Sequence, residues 1–199
     1  MKYIIKKRLI YLMTDFLSNI SSSINEDLIL PLVSKEIKVT ELKNPSCKSI
    51  IFKSVSKNIF AFSLDYQLAK RCKILPFFNQ SLGDINKVND AIIFYEKGSE
   101  QYLLLIELKS NNLGDYKKQL QAGKNFSLYL VSMLNLTFGK NYEIKDENIR
   151  CLVVSTRKTP RKQGSKRKNI KYDIVNGLNI AEINCNSTVQ IEKFIEELT

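Results

Sequence analysis

Apolar and polar positions alternate in distinct registers along the chain, and the registers predict its elements. The densest pattern runs from Asp90 to Lys109. Asp90 opens an apolar run from Ala91 to Tyr95, a polar segment containing Gly98 follows, and a second run from Tyr102 to Ile106 ends in Glu107-Leu108-Lys109. Two runs of about five residues around a glycine-containing loop predict a β-hairpin. Strand side chains alternate between faces, so Glu107 and Lys109 share one face and Leu104, Ile106 and Leu108 the other. Both faces of the second run are apolar until its end, which predicts a buried central strand. In an antiparallel pair the start of one strand lies beside the end of the next. Asp90, Glu107 and Lys109 are therefore expected together at one sheet edge.

Other stretches follow different periods. Ile5, Leu9, Leu12 and Phe16, widened by Met13 and Leu17, predict a helix over 3–18 that packs on the core, with a membrane or dimer helix as the second option. Ser21-Ser22-Ser23 predicts a break, then a second helix through Asp27 to Lys35, interrupted near Pro31. A loop is expected over 39–48, a strand from Ser49 to Val55, a helix from Phe60 to Cys72 and a polar loop over 75–89. A helix from about Gly114 to Leu134 has the apolar face Tyr116, Leu120, Phe126, Leu130 and Met133, while Lys117, Gln121 and Lys124 share another face. Strands are expected at Arg150–Thr156 and Asn179–Cys185. A final helix opens on a capping box, Ser187 with Gln190, and buries Ile191, Phe194, Ile195 and Leu198. This order predicts an α/β fold with a mixed central β-sheet flanked by helices. The 199 residues fit one domain, with 1–48 as a helical N-terminal part and 49–199 as the core.

Charge narrows the class of partner. Lys and Arg number 31 against 20 Asp and Glu, a net charge of +11. Such an excess favours a polyanion, either nucleic acid or an anionic membrane surface. A lysine-rich, AT-rich coding bias accounts for part of it but not for its clustering. The loop 157–171 holds eight basic residues and no acid: Arg157, Lys158, Arg161, Lys162, Lys166, Arg167, Lys168 and Lys171. Cations this dense contact phosphates and give salt-sensitive, sequence-independent affinity. The plainer reading is a solvated loop, as Pro160, Gly164 and Ser165 also suit.

Histidine is absent, which excludes Ser-His-Asp triads, Cys-His pairs and His-ligated zinc. Cys47, Cys72, Cys151 and Cys185 are widely spaced and read as buried, reduced thiols of a cytoplasmic protein. Lys2, Lys6, Lys7 and Arg8 precede Leu9–Met13, but Asp15 interrupts the apolar part and no cleavage site follows, so neither a signal peptide nor a membrane partner is expected.

The trio at the sheet edge has a chemical use. Two carboxylates suit Mg²⁺ or Mn²⁺, hard cations that take oxygen ligands and leave room for substrate phosphate. A neighbouring lysine can orient or deprotonate water, or stabilise a transition state. The plain alternative is a salt-bridged strand end. At Asn89-Asp90 before Ala91–Phe94, and at Ile106-Glu107-Leu108-Lys109-Ser110, the chain resembles the PD-(D/E)XK nuclease superfamily, with its restriction-endonuclease-like core. The first position there is often proline and is Asn89 here. The firm part of the resemblance spans about Asp90 to Leu130.

The resemblance implies a nuclease that hydrolyses phosphodiester bonds, DNA before RNA, leaving a 5′-phosphate. Asp90, Glu107 and the Leu108 carbonyl would hold Mg²⁺, Lys109 would serve the attacking water, and Gln119 or Gln121 would contact phosphate or base. Lys117, Lys124 and the basic loop would hold the backbone. Asp65 and Glu26 are options for an extra acid, although a surface or cap role suits them better. Asp84 is not attached to a strand start. Cutting both strands needs two sites, so a homodimer or a partner subunit is implied. Defence, restriction, repair or mobile-element processing is the implied setting. Rival readings are a non-catalytic nucleic-acid-binding subunit and a basic membrane-associated or interaction protein.

Overall fold

The computed structural model describes residues 14–41, 46–54, 56–64, 82, 87–110, 112–157 and 170–195. The chain is α/β. Strands β1 (Glu36–Thr40) and β2 (Ser49–Lys53) are antiparallel, and the late strand Thr188–Gln190 adds parallel to β2. The central sheet has six strands: β3 (Ile59–Phe62), β4 (Ala91–Lys97), β5 (Glu100–Lys109), β6 (Ile149–Ser155), β7 (Asp173–Val175) and β8 (Leu178–Asn184), in the order β3-β4-β5-β6-β8-β7. The last strand is β9. The sheet is mixed: β5, β6 and β8 run parallel, and the pairs β3–β4, β4–β5 and β7–β8 are antiparallel.

Alternation along the strands divides the core. Ile92, Phe94, Leu103, Leu105 and Val153 face helices α1 (Asp15–Ser23) and α2 (Tyr116–Phe138). Ala91, Ile93, Leu104, Ile106, Leu108 and Val154 face the smaller sheet and the 3-10 turn Ile191–Phe194. The expected hairpin forms, with Lys97 paired to Glu100 around Gly98 at φ +63°. That left-handed conformation suits glycine in a two-residue turn. Strand β5 is internal and buried from Tyr102 to Leu108. Helix α2 ends at Gly139, also left-handed at φ +62°, whose N–H returns to the Asn135 carbonyl.

Several elements differ from expectation. Thr14 caps α1, which continues through Ser21–Ser23 instead of breaking there. No helix follows over Asp27–Lys35: a 3-10 turn, Glu26–Leu28, leads to Ile29, which bridges Phe62 of β3. Ser34 and Lys35 take left-handed φ of 51° and 65°, which forces a tight turn into β1, where a loop was expected from residue 39. Phe60–Phe62 is strand, Ser63 and Leu64 follow it without helix, and residues 65–72 of the expected helix lie outside the described residues. Thr188–Gln190 pairs in β9 instead of starting a helix, and Ser187 Oγ donates to the Asn184 carbonyl. Ile191, Phe194 and Ile195 are nevertheless buried. Met133 is 39% exposed, and the stripe that α2 buries is Leu120, Gly123, Ser127, Val131 and Leu134.

Cys47 and Cys185 form a disulfide joining the two sheets across 138 residues, so they are not the free thiols expected. Cys151 is a buried free thiol raised by burial to about 12, which keeps it protonated. Cys72 lies outside the described residues, as does most of the expected 3–18 helix. Among the described residues, no helix is long and apolar enough to cross a membrane.

Candidate active site

The hairpin register brings the acids together. Ala91 pairs with Ile106, so Asp90, one residue earlier, stands across from Glu107. Cα atoms so placed are about 5 Å apart. Both belong to the face that carries Ile92, Phe94, Leu103 and Leu105, under α2. Asp90 is 8% exposed and Glu107 1%. Asp90 Oδ2 accepts the Leu108 N–H at 2.5 Å, which ties the entry of β4 to the end of β5.

Lys109 completes the edge. Its Nζ lies 2.7 Å from Glu107 Oε1 and donates to Gln119 Oε1 at 2.6 Å. Gln119 also donates through Nε2 to the Val88 carbonyl at 3.3 Å. The ammonium is thus held between β5 and the first turns of α2. Glu107 Oε2 is buried and has no hydrogen-bond partner. Burial raises the Glu107 carboxyl to about 8; the Asp90 charge adds to the rise, while Lys109 and the Asp90 N–H oppose it. An under-satisfied buried carboxylate is costly unless something positive meets it.

The site extends across the sheet. Glu107 pairs with Val153, which pairs with Glu182, so Glu182 stands two strands away on the same face. Tyr116, at the start of α2, has its hydroxyl raised by burial and then by the Glu182 charge, with Arg157 pulling the other way.

The remaining expected residues divide clearly. Gln119 joins the site, whereas Gln121 turns away and donates to Asn125 Oδ1 at 3.0 Å. Leu108 takes part through its N–H. Lys124 is paired with Asp146 at 2.7 Å, and Lys117 is exposed, 5.9 Å from the Tyr116 ring centre. Lys171 is 88% exposed, 3.4 Å from Asp173. Lys158, Arg161, Lys162, Lys166, Arg167 and Lys168 lie outside the described residues, as do Asp65 and Asp84. Glu26 is exposed in its 3-10 turn beyond β3. Two residues with a part in this edge escaped the sequence reading: Gly123, whose signal is a glycine inside a helix, and Asn89 as more than a neighbour of Asp90.

The donor set fits a small divalent cation. Glu107 Oε2 lacks a partner on the face that Asp90 shares, and carboxylate oxygens are the ligands Mg²⁺ and Mn²⁺ prefer. Among the described residues no three His, Cys, Asp or Glu side chains converge. Two protein carboxylates with substrate phosphate and water as further ligands is a common Mg²⁺ arrangement. No protein-family model, curated protein or solved structure matches the chain.

Proposed function

We propose that the protein is a Mg²⁺- or Mn²⁺-dependent nuclease of the PD-(D/E)XK type, built on a restriction-endonuclease-like core and acting on DNA before RNA. The observation that carries this reading is the buried Asp90–Glu107 pair at one sheet edge, with an open Glu107 oxygen and a lysine clamped beside it. The order of elements supports it: an antiparallel hairpin, then α2 crossing to a strand parallel with β5.

Asp90 and Glu107 are the residues that would hold the cation, and the Leu108 carbonyl, implied by the resemblance, would be a third donor. When bound, the cation offsets phosphate charge and acidifies water. Lys109 Nζ, fixed by Glu107 and Gln119, orients the attacking water and meets negative charge gathering on the phosphate oxygens. Water oxygen bonds to phosphorus, the bond from phosphorus to the 3′ oxygen breaks, and that oxygen takes a proton, leaving a 5′-phosphate. Arg157, exposed Lys117 and the basic loop hold the backbone. A homodimer supplies the two sites that a double-strand cut requires. Defence, restriction, repair or mobile-element processing is the setting this activity implies, and the cytoplasm its compartment. The Cys47–Cys185 disulfide weighs against that compartment, because reducing surroundings disfavour such bonds.

A non-catalytic nucleic-acid-binding subunit is the second reading. It is favoured by the internal use of the site, since Lys109 already pairs with Glu107 and Leu108 engages Asp90. Cleavage of supercoiled DNA, linear DNA and RNA with Mg²⁺ or Mn²⁺ separates the two. The nuclease reading expects metal-dependent cutting by wild type and none by Glu107→Ala or Lys109→Ala. Tight, salt-sensitive binding without cutting, unchanged in both variants, would establish the subunit.

A further inference from the structure

We infer that the close fit of Gly123 against Asn89 is a steric lock that positions Gln119, and through it Lys109, at the ends of β4 and β5. The inference rests on the nuclease reading only for its consequence in catalysis. Asn89 is fully buried, and its Nδ2 donates to the Ala91 carbonyl and to the Ile106 carbonyl at 3.4 Å, so its amide spans the entry of β4 and the end of β5. Its Oδ1 has no hydrogen-bond partner. That end of the amide sits against α2 at Gly123. A methyl group at Gly123 would overlap Asn89 Oδ1 and lie 2.8 Å from its Cγ and 3.3 Å from Leu105 Cδ2.

Glycine inside a helix costs about 1 kcal/mol relative to alanine. Here the cost is matched to close approach, since no side chain fits between the helix backbone and Asn89. Gln119 lies four residues before Gly123, on the same side of α2 and one turn nearer its start. The same approach brings Gln119 Nε2 to the Val88 carbonyl and Gln119 Oε1 to Lys109 Nζ. Ser127, one turn further on and fully buried, donates to the Gly123 carbonyl at 2.8 Å. Gln119 and Gly123 thus seat α2 on residues 88 and 89, and the helix carries Gln119 onto the ammonium. Asn89 and Gly123 are positioning residues, since neither touches Lys109.

The test uses Gly123→Ala, Asn89→Ala and the double variant, because removing the amide makes room for the added methyl. The first readout is the Lys109 side-chain ¹⁵Nζ signal in ¹⁵N-lysine protein, assigned with Lys109→Arg. It reports the Lys109 clamp whether or not the protein cuts nucleic acid. Gly123→Ala is expected to lose the exchange-protected ammonium signal, Asn89→Ala to keep it because the approach of α2 stays unobstructed, and the double variant to regain it. In the cleavage assay Gly123→Ala is expected to lower kcat about tenfold with KM changed less than twofold, with recovery in the double variant. Should Gly123→Ala not fold, the folded double variant decides: a protected Lys109 signal supports the lock, and its absence overturns it. A folded Gly123→Ala with the wild-type Lys109 signal also overturns it. Loss of the Lys109 signal in Gly123→Ala and its return in the double variant, with no cleavage by wild type, would refute the nuclease reading and leave the lock standing.

Discussion

Two of the buried polar centres among the described residues, Arg150 and Glu107, are finished differently. Arg150 is 3% exposed on the face of the smaller sheet. Its Nε donates to the Phe194 carbonyl at 3.0 Å, its Nη1 to the Glu147 and Ile149 carbonyls, and its guanidinium lies 5.5 Å from the Tyr172 ring centre. Tyr172 donates to the same Phe194 carbonyl. This cation is surrounded by acceptors and ties β6 to the C-terminal turn. Glu107, on the opposite face, keeps one oxygen without a partner and its carboxyl is raised to about 8. Arg150 closes its hydrogen bonds and stabilises the fold; the open, charge-resisting Glu107 oxygen is the one the proposed cation would meet.

The sharpest way to break this contrast is Glu107→Gln. Cleavage is expected to fall by roughly 10³-fold or more, because a ligand and the partner of Lys109 are lost together. The metal-free variant is expected to be more stable than wild type at pH 7, by about 2 kcal/mol in urea unfolding, since a carboxyl that resists ionisation in the fold is removed. Arg150→Met is expected to do the reverse. It leaves buried carbonyls unmatched and should cost about 3 kcal/mol in the same measurement.

Acidity sharpens the comparison. The folded Glu107 carboxyl is raised from 4.5 to about 8. Its contribution to the stability of metal-free protein is complete below the unfolded value of 4.5 and is lost as pH rises to about 8. Thermal unfolding in chelator should therefore show stability declining across that window, with a shallower decline in Glu107→Gln. Equal slopes would remove Glu107 as the cause.

Smaller effects separate the glutamines and the lysines. Gln119→Ala removes a hydrogen bond to a charged group and should slow cleavage about tenfold, whereas Gln121→Ala should change it less than about twofold. Lys124→Ala loses a pair whose acid, Asp146, is 81% exposed, and should cost under about 1 kcal/mol.

Which parts of this were legible in sequence follows from where the determinants lie. The hairpin was legible because alternation and Gly98 determine pairing and turn locally, and the register then places Asp90 across from Glu107. Strands β6 and β8 were readable as apolar runs. The Asn176-Gly177 turn between β7 and β8 is a hairpin signal that leaves no mark in the apolar pattern, both residues being left-handed. Strand β1 alternates Glu36-Ile37-Lys38-Val39-Thr40, yet the preceding turn uses Ser34 and Lys35 at positive φ, where turn chemistry predicts glycine or asparagine. In β3 the continuous run Ile59-Phe60-Ala61-Phe62 has no period that separates strand from helix. The Cys47–Cys185 bond depends on contact between two sheets. Gln119 and Gln121 differ only in their angle around α2, and that angle is set by Gly123 against Asn89, a contact no local pattern reveals.

The claim that the open Glu107 oxygen marks a working cation site is tested most directly by titrating Mn²⁺ into wild type and Glu107→Gln while following thermal unfolding at pH 7.5. Wild type should gain Tm with increasing Mn²⁺, because a ligand held only by the folded state stabilises it in proportion to occupancy. Glu107→Gln should start higher and stay flat. A wild-type Tm that ignores Mn²⁺, or an equal rise in both proteins, would contradict the account.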